Sequence, residues 1–312
     1  MVIFAFRIIV LALTGWFVLP ANAASRTEHV FIISIDGGAS WAIQNAKMPV
    51  LKQVAREGAC TWNAETLIPQ TLPGHTSMLT GVGTDQHKIV WNSWIPSNGV
   101  VTFPTVFTAA KAAGLSTAMF AAKEKFQHLV QPGTVDYFDY SRAAAVVVLK
   151  SDSGGPDVRK EGVVSSRAVA TNAAAYIVSH KPNLCFIHLA DPDTVGHAFG
   201  WESSEERKAF AETDAAVEVI LKAVRRAGIA KRSVILISAD HGGHGKGHSK
   251  GTPQDMIIPW IASGQGVKKH FSIPESVHNS DVAATALWLL GVQPLRPLEG
   301  VPVVSAFKGG RN

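Results

Sequence analysis

The chain of 312 residues is 46% hydrophobic and 17% charged. That composition excludes disorder and supplies apolar material for a sizeable core. The formal net charge is +5, but no dense Lys/Arg run occurs, so no nucleic-acid footprint is expected; a small anionic substrate fits the balance equally well.

Residues 1–23 open the chain with Arg7, an apolar run from Ile8 to Leu19, and then Ala21-Asn22-Ala23. A charged start, a hydrophobic middle and a small-x-small end form the layout of a secretory signal peptide. The run is shorter than the roughly 20 residues a spanning helix needs. The expectation is cleavage after Ala23, no stable membrane span afterwards, and a mature protein that is periplasmic or secreted. Residues 24–312 then read as a single domain.

The elements follow in order. Val30–Ile35 is a strand candidate that runs into Asp36-Gly37-Gly38, followed by a helix at Pro49–Glu57. Pro69–Gly81 reads as a loop entering a short helix. Thr71 there is either a helix cap or a hydroxyl in the positive end of the dipole. Pro104–Ala113 is helical, Leu115–Phe120 a strand, and Ala121-Ala122-Lys123-Glu124-Lys125 follows it. Ser151–Gly162 reads as a surface loop. A helix at Val163–Ser179, a strand at Leu184–Ala190 and a helix at Ser204–Arg226 come next, the last with Ser203 and Glu206 in capping-box positions. Strands at Ser233–Ala239 and Ile257–Ala262 and a helix at Ser280–Leu290 complete the set. Apolar runs without strict alternation, separated by helices, predict an α/β fold: a doubly wound, mostly parallel sheet with helices on both faces. Cys60 and Cys185 have no metal spacing and read as packing thiols, although an oxidising compartment would permit a bridge.

Three of the strand candidates end in acidic segments: Asp36-Gly37-Gly38, Asp191-Pro192-Asp193-Thr194-Val195-Gly196-His197, and Asp240-His241-Gly242-Gly243-His244-Gly245-Lys246-Gly247-His248. Carboxylates and imidazoles at neighbouring strand ends converge on one rim of a sheet. Mixed Asp/His sets suit Zn²⁺ or a similar divalent ion. Any one of these segments alone reads equally as a turn or a helix cap.

Taken together, Asp36-Gly37, Thr71-Leu72-Pro73-Gly74-His75, Asn92, Asp193-x-x-x-His197, Asp240-His241 and His248 resemble the alkaline phosphatase superfamily. Within it they are most similar to the type I phosphodiesterase / nucleotide pyrophosphatase family, with Leu72 and Gly74 in place of that family's usual Phe and Asn. The resemblance implies two divalent metals, zinc by family habit. Asp36, Asp240 and His241 would hold one, with Thr71 as its neighbouring ligand. Asp193, His197 and a later His would hold the other; His248 is favoured for that place, with His244 and His278 as rivals. Thr71 would be the nucleophile, and Asn92 with a backbone N–H near Leu72 the donors to phosphoryl oxygens. Lys123-x-Lys125 resembles a segment of phosphonoacetate hydrolases, where cations bind a second negative charge on the substrate; a solvated charge cluster is the plain alternative. The implied activity is hydrolysis of a small anionic phosphorus ester, a diester or pyrophosphate first. A phosphomonoester or phosphonoacetate-type substrate is the alternative, and a noncatalytic metal-holding protein the rival from another class. No Cys/Ser-x-Pro-x-Arg segment marks a sulfatase.

Overall fold

The computed structural model describes residues 27–140, 146–152 and 154–309; the signal-peptide reading lies outside these described residues. The order of elements is β1 (His29–Ile35), α1 (Ser40–Asn45), α2 (Pro49–Glu57), β2 (Ala59–Glu65), α3 (Thr71–Thr80), α4 (Thr84–His87), α5 (Val106–Ala112), β3 (Thr117–Phe120), β4 (Tyr137–Asp139), β5 (Val146–Leu149) and β6 (Val158–Glu161). It continues with α6 (Ser166–His180), β7 (Leu184–Leu189), α7 (Asp191–Phe199), α8 (Ser204–Arg226), β8 (Ser233–Ser238), α9 (Pro253–Met256), β9 (Ile257–Gly264), β10 (Phe271–Ser272) and α10 (Asp281–Leu290).

Eight strands form one sheet in the order β10-β2-β9-β8-β1-β7-β3-β4. β1 lies parallel between β7 and β8, so the three most apolar strands occupy the centre. Side chains of β1 are all buried but alternate between two cores. Val30 and Ile32 join a core with α3, α5 and α10, while Phe31, Ile33 and Ile35 join a second core with α1, α2, α6 and α8. Helices therefore cover both faces, as the doubly wound pattern requires.

The structure departs from the sequence reading in three places. β9 is apolar like its neighbours but runs antiparallel to both β8 and β2. Its direction is set by the tight α9 turn feeding it, which hydrophobicity does not record. The stretch from Ser151 to Gly162 is not all loop, because β6 within it pairs antiparallel with β5 just before it. β2 (ACTWNAE) was missed because its burial alternates with exposed polar residues, so it carries no continuous apolar signal. Among the described residues no helix is long and apolar enough to cross a membrane.

Candidate metal centre and nucleophile

Register brings the acidic segments together. Ser34 pairs with Ser238 and Ile35 with Leu189; the residues just beyond these pairs are Asp36, Asp240 and the start of α7. Gly37 makes the approach possible. It has φ +71°, and a Cβ there would lie 2.9 Å from the Asp193 backbone. On α7, Asp193 and His197 share one face at i,i+4 spacing.

Two sets of ligand atoms result. In the inner set, His241 Nε2 stands 3.4 Å from Asp36 Oδ1 and 3.2 Å from Asp240 Oδ2, with all three side chains fully buried. In the outer set, Asp193 Oδ1 lies 3.3 Å from His197 Nε2 and 3.6 Å from His248 Nε2. The sets adjoin: the His241 and His248 rings stack with centroids 3.7 Å apart. Within each set the ligand atoms lie within 4.8 Å of one another. His244 instead pairs through Nδ1 with Asp255 at 2.7 Å, and neither His244 nor His278 belongs to either group.

The donors fit a pair of cations. Nδ1 of His197, His241 and His248 each contacts a backbone carbonyl, on Lys246, Gly242 and Pro69 at 3.0, 2.8 and 2.7 Å. A carbonyl only accepts, so Nδ1 carries the proton and a neutral ring turns its Nε2 lone pair inward. The Nε2 atoms of His197 and His248 are then 3.1 Å apart with lone pairs facing, an arrangement a cation between them resolves. Asp36 Oδ1, Asp193 Oδ1, Asp240 Oδ2 and His241 Nε2 are buried with no hydrogen-bond partner. Orphan acceptors converging in this way suit a metal and little else.

Behind the ligands sits Lys123. Its ammonium is buried and reaches Asp36 Oδ2 at 2.6 Å and Asp193 Oδ2 at 2.5 Å, one carboxylate from each set. Each aspartate thus commits one oxygen to Lys123 and leaves the other to the centre. Burial opposes the charge on Asp36, but Lys123 and the His188 and His241 rings outweigh it and hold the carboxyl well below the usual range. Burial likewise opposes the charge on Lys123, and Asp193 and Asp36 overcome it, raising its pKa. The Lys123 ammonium thus faces the Asp36 and Asp193 carboxylates, whereas the sequence reading aimed it at a substrate.

His188 was not singled out from the sequence because it lies inside the apolar run of β7. It touches Asp36 Oδ2 through Nε2 at 2.8 Å, while Nδ1 accepts from the Ala122 backbone N–H at 3.2 Å. Burial lowers its pKa to about 4, so the ring is neutral and donates. A single polar residue in a buried strand, paired in register with Ser34, was the available signal.

Thr71 opens α3 and is buried. Two contacts clamp its segment to the centre: His248 Nδ1 donates to Pro69 O, and His75 lies 3.2 Å from Asp240 Oδ2. A Cβ on Gly74 would meet the Asp240 carbonyl at 3.1 Å, so α3 abuts the end of β8 closely. The His75 ring also contacts the Thr71 carbonyl at 2.7 Å. Asn92 Oδ1 accepts from the Leu72 N–H and from Lys125 Nζ, both at 2.9 Å. The Leu72 N–H is thus engaged by Asn92, and Lys125 reaches the same amide oxygen one residue along from Thr71. Burial, then repulsion from Lys123, lowers Lys125 to about 8.

Residues 30–250 match the model of the type I phosphodiesterase / nucleotide pyrophosphatase family. The chain belongs to that family. Human ectonucleotide pyrophosphatase/phosphodiesterase family member 7 is 22% identical over 72% of this chain and 49% of its own length. A bovine bis(5′-adenosyl)-triphosphatase is 24% identical over 71% of this chain and 49% of its own. This phosphodiesterase-family chain thus spans about half the length of these curated relatives. Among solved structures, an inactive murine ectonucleotide pyrophosphatase/phosphodiesterase 5 in complex with AMP matches with a TM-score of 0.68 at 14% identity, covering 90% of this chain and 100% of that one. A phosphonate monoester hydrolase from Silicibacter pomeroyi matches with a TM-score of 0.69 at 13% identity, covering 91% and 77%. Likenesses this remote establish the alkaline phosphatase-like fold.

Proposed function

We propose that the chain is a two-metal hydrolase of phosphorus esters, of phosphodiesterase or pyrophosphatase type, acting through Thr71 and working outside the cytoplasm. The observation that carries this reading is the pair of ligand sets whose inward atoms have no other partner, clamped to the N-terminus of α3. Asp36, Asp240 and His241 would hold one ion, with Thr71 beside it, and Asp193, His197 and His248 the other. The mixed Asp/His donors suit zinc. Ions bound there would supply Lewis acidity toward the attacking and leaving oxygens.

The chain's own residues supply the rest. Thr71 Oγ is fixed at the first turn of α3, where the helix dipole favours an incoming anion. Its attack on a diester expels one ester alcohol, which takes up the hydroxyl proton, and leaves Thr71 joined to the remaining phosphoryl ester; water then cleaves that bond, releasing the phosphomonoester and restoring the hydroxyl. Asn92 Nδ2 and the Lys125 ammonium are placed to donate to the nonbridging oxygens. Because Lys123 is committed to Asp36 and Asp193, one cation rather than two remains for the substrate. That favours a singly charged diester over a doubly charged monoester or phosphonoacetate. The secretory layout of residues 1–23 supports the location.

The test is Thr71→Ala in purified, zinc-loaded mature protein, with metal content measured beside turnover of an aryl phosphate diester, an aryl phosphate monoester and phosphonoacetate. The expected result is two metals per chain retained and diester turnover lowered by about a thousandfold or more. Undiminished turnover would remove Thr71 from the chemistry. A wild-type protein that holds both metals yet turns over none of the three would instead be a metal-holding binding protein.

A further inference from the structure

A second cleft lies on the other side of Trp201 from the metal-set histidines. The indole is buried, donates from Nε1 to the Gly37 carbonyl at 3.2 Å, and stands edge-on to His197 and His248 with centroids 5.6 and 6.1 Å away. It is wedged so tightly that a Cβ on Gly243 would lie 2.3 Å from it and one on Gly196 2.7 Å. Beyond it opens a cleft of about 550 Å³, which Trp201 lines together with the half-buried Trp41 and Trp62. That volume lies within the range of small-ligand sites.

The chemistry of the lining is selective. It holds no Lys or Arg, and its one carboxylate is Glu202, so it repels the phosphoryl end of an anionic ester. Side-chain amides from Gln44, Asn63 and Gln254 add both donors and acceptors between the indoles. Two further lining residues carry unspent groups: Ser40 Oγ and Trp41 Nε1 are buried without a hydrogen-bond partner. Flat aromatic faces with surrounding amides suit a ring whose C–H faces are apolar and whose edges are hydroxylated. An organic cation would use the indoles and Glu202 but, having no acceptor, would leave the Trp41 N–H unpaired.

We propose that this cleft binds an uncharged hexose ring, alone or within a short saccharide, at a site separate from the metal centre. The loop from His241 to His248 forms part of both, since His244 and Gly245 line the cleft and the Gly245 carbonyl accepts from the Trp201 N–H at 2.7 Å. A saccharide there abuts the segment carrying two of the six metal-set residues without displacing either.

The experiment is calorimetric titration of the metal-loaded protein with maltose, cellobiose and chitobiose, and separately with tetramethylammonium chloride. Indole N–H resonances are followed in parallel and assigned through Trp41→Phe. The expected result is saturable binding of at least one saccharide with a dissociation constant of about 1 mM or tighter. The Trp41 indole proton should shift, and affinity should fall about tenfold or more in Trp62→Ala. Gln254→Ala, at an exposed position, serves as the second variant should Trp62→Ala fold poorly, with a loss of about threefold or more expected. No saturation by about 50 mM for any saccharide, saturation indifferent to both variants, or binding of tetramethylammonium alone would each overturn the proposal. The titration reads binding without turnover, so its failure leaves the hydrolase reading untouched, and the reverse holds too.

Discussion

Replacing Lys123 with Met removes the ammonium that, among the described residues, bridges the two acidic sets, and its effect is expected to depend on metal. Lys123 lies 2.6 and 2.5 Å from oxygens of Asp36 and Asp193. Removing it leaves two buried carboxylates facing each other with His188 as the remaining neighbour on that side. Breaking a buried ion pair by deleting one partner costs about 3–5 kcal/mol, and Met fills most of the volume, so the cavity contribution is small. At roughly 2 °C per kcal/mol for a chain of this size, Tm should fall by about 6–10 °C after chelation. With both ions bound, two dications compensate the same carboxylates and the loss should shrink to about half or less. The assay is thermal unfolding of wild type and Lys123→Met, each chelated and zinc-loaded, with Lys123→Arg as a charge-retaining control. Equal destabilisation in the two metal states would refute the reasoning, because it would mean that Lys123 acts through packing alone.

Lys125 should titrate in the activity profile. Its folded pKa is lowered to about 8, so the ammonium is present below that pH and lost above it. kcat/KM for an aryl diester should decline through about pH 8 in wild type, and Lys125→Met should abolish that limb. A limb that persists in the variant would assign it to another group. His248→Ala should lower the metal content from two ions to one, whereas His244→Ala should leave it at two; plasma emission spectrometry reads both, and the reverse pattern would transfer the ligand role to His244. Gly243→Ala drives a methyl against the Trp201 ring at 2.3 Å, which should cost about 1–3 kcal/mol by denaturant unfolding. An unchanged midpoint would mean that the loop from His241 to His248 yields freely.

What the sequence displayed and what it concealed divide along physical lines. β1, β7 and β8 were legible because a strand buried on both faces must be largely apolar, so each shows a short run of Val, Ile, Leu and Phe without strict alternation. The acidic cluster was legible for a related reason. Aspartates at or shortly after the ends of parallel strands fall on one rim, so Asp36, Asp193 and Asp240 could be grouped before any register was known. Lys123 shows the limit. A lysine three residues past β3 reads as solvated or substrate-facing, and only three-dimensional placement turns it back under two carboxylates. His188 was hidden in the opposite way, since an apolar context disguises one polar side chain whose partner lies 152 positions earlier. The direction of β9 left no trace in composition, because pairing sense depends on the connection and not on hydrophobicity.

The unequal depth of the two ligand sets has a kinetic consequence. Asp36, Asp240 and His241 are wholly enclosed, and they hang from the two central strands that share the sheet's best-buried register. His197 keeps 39% of its side chain open to solvent and rides on a short helix. An ion in the inner place would have no ligand side chain open to solvent and could leave only if buried side chains moved apart on the face beside Thr71. One in the outer place needs only a ring rotation. Isotope exchange with labelled zinc should therefore run in two phases, a fast one at the rim and a slower one at the enclosed place.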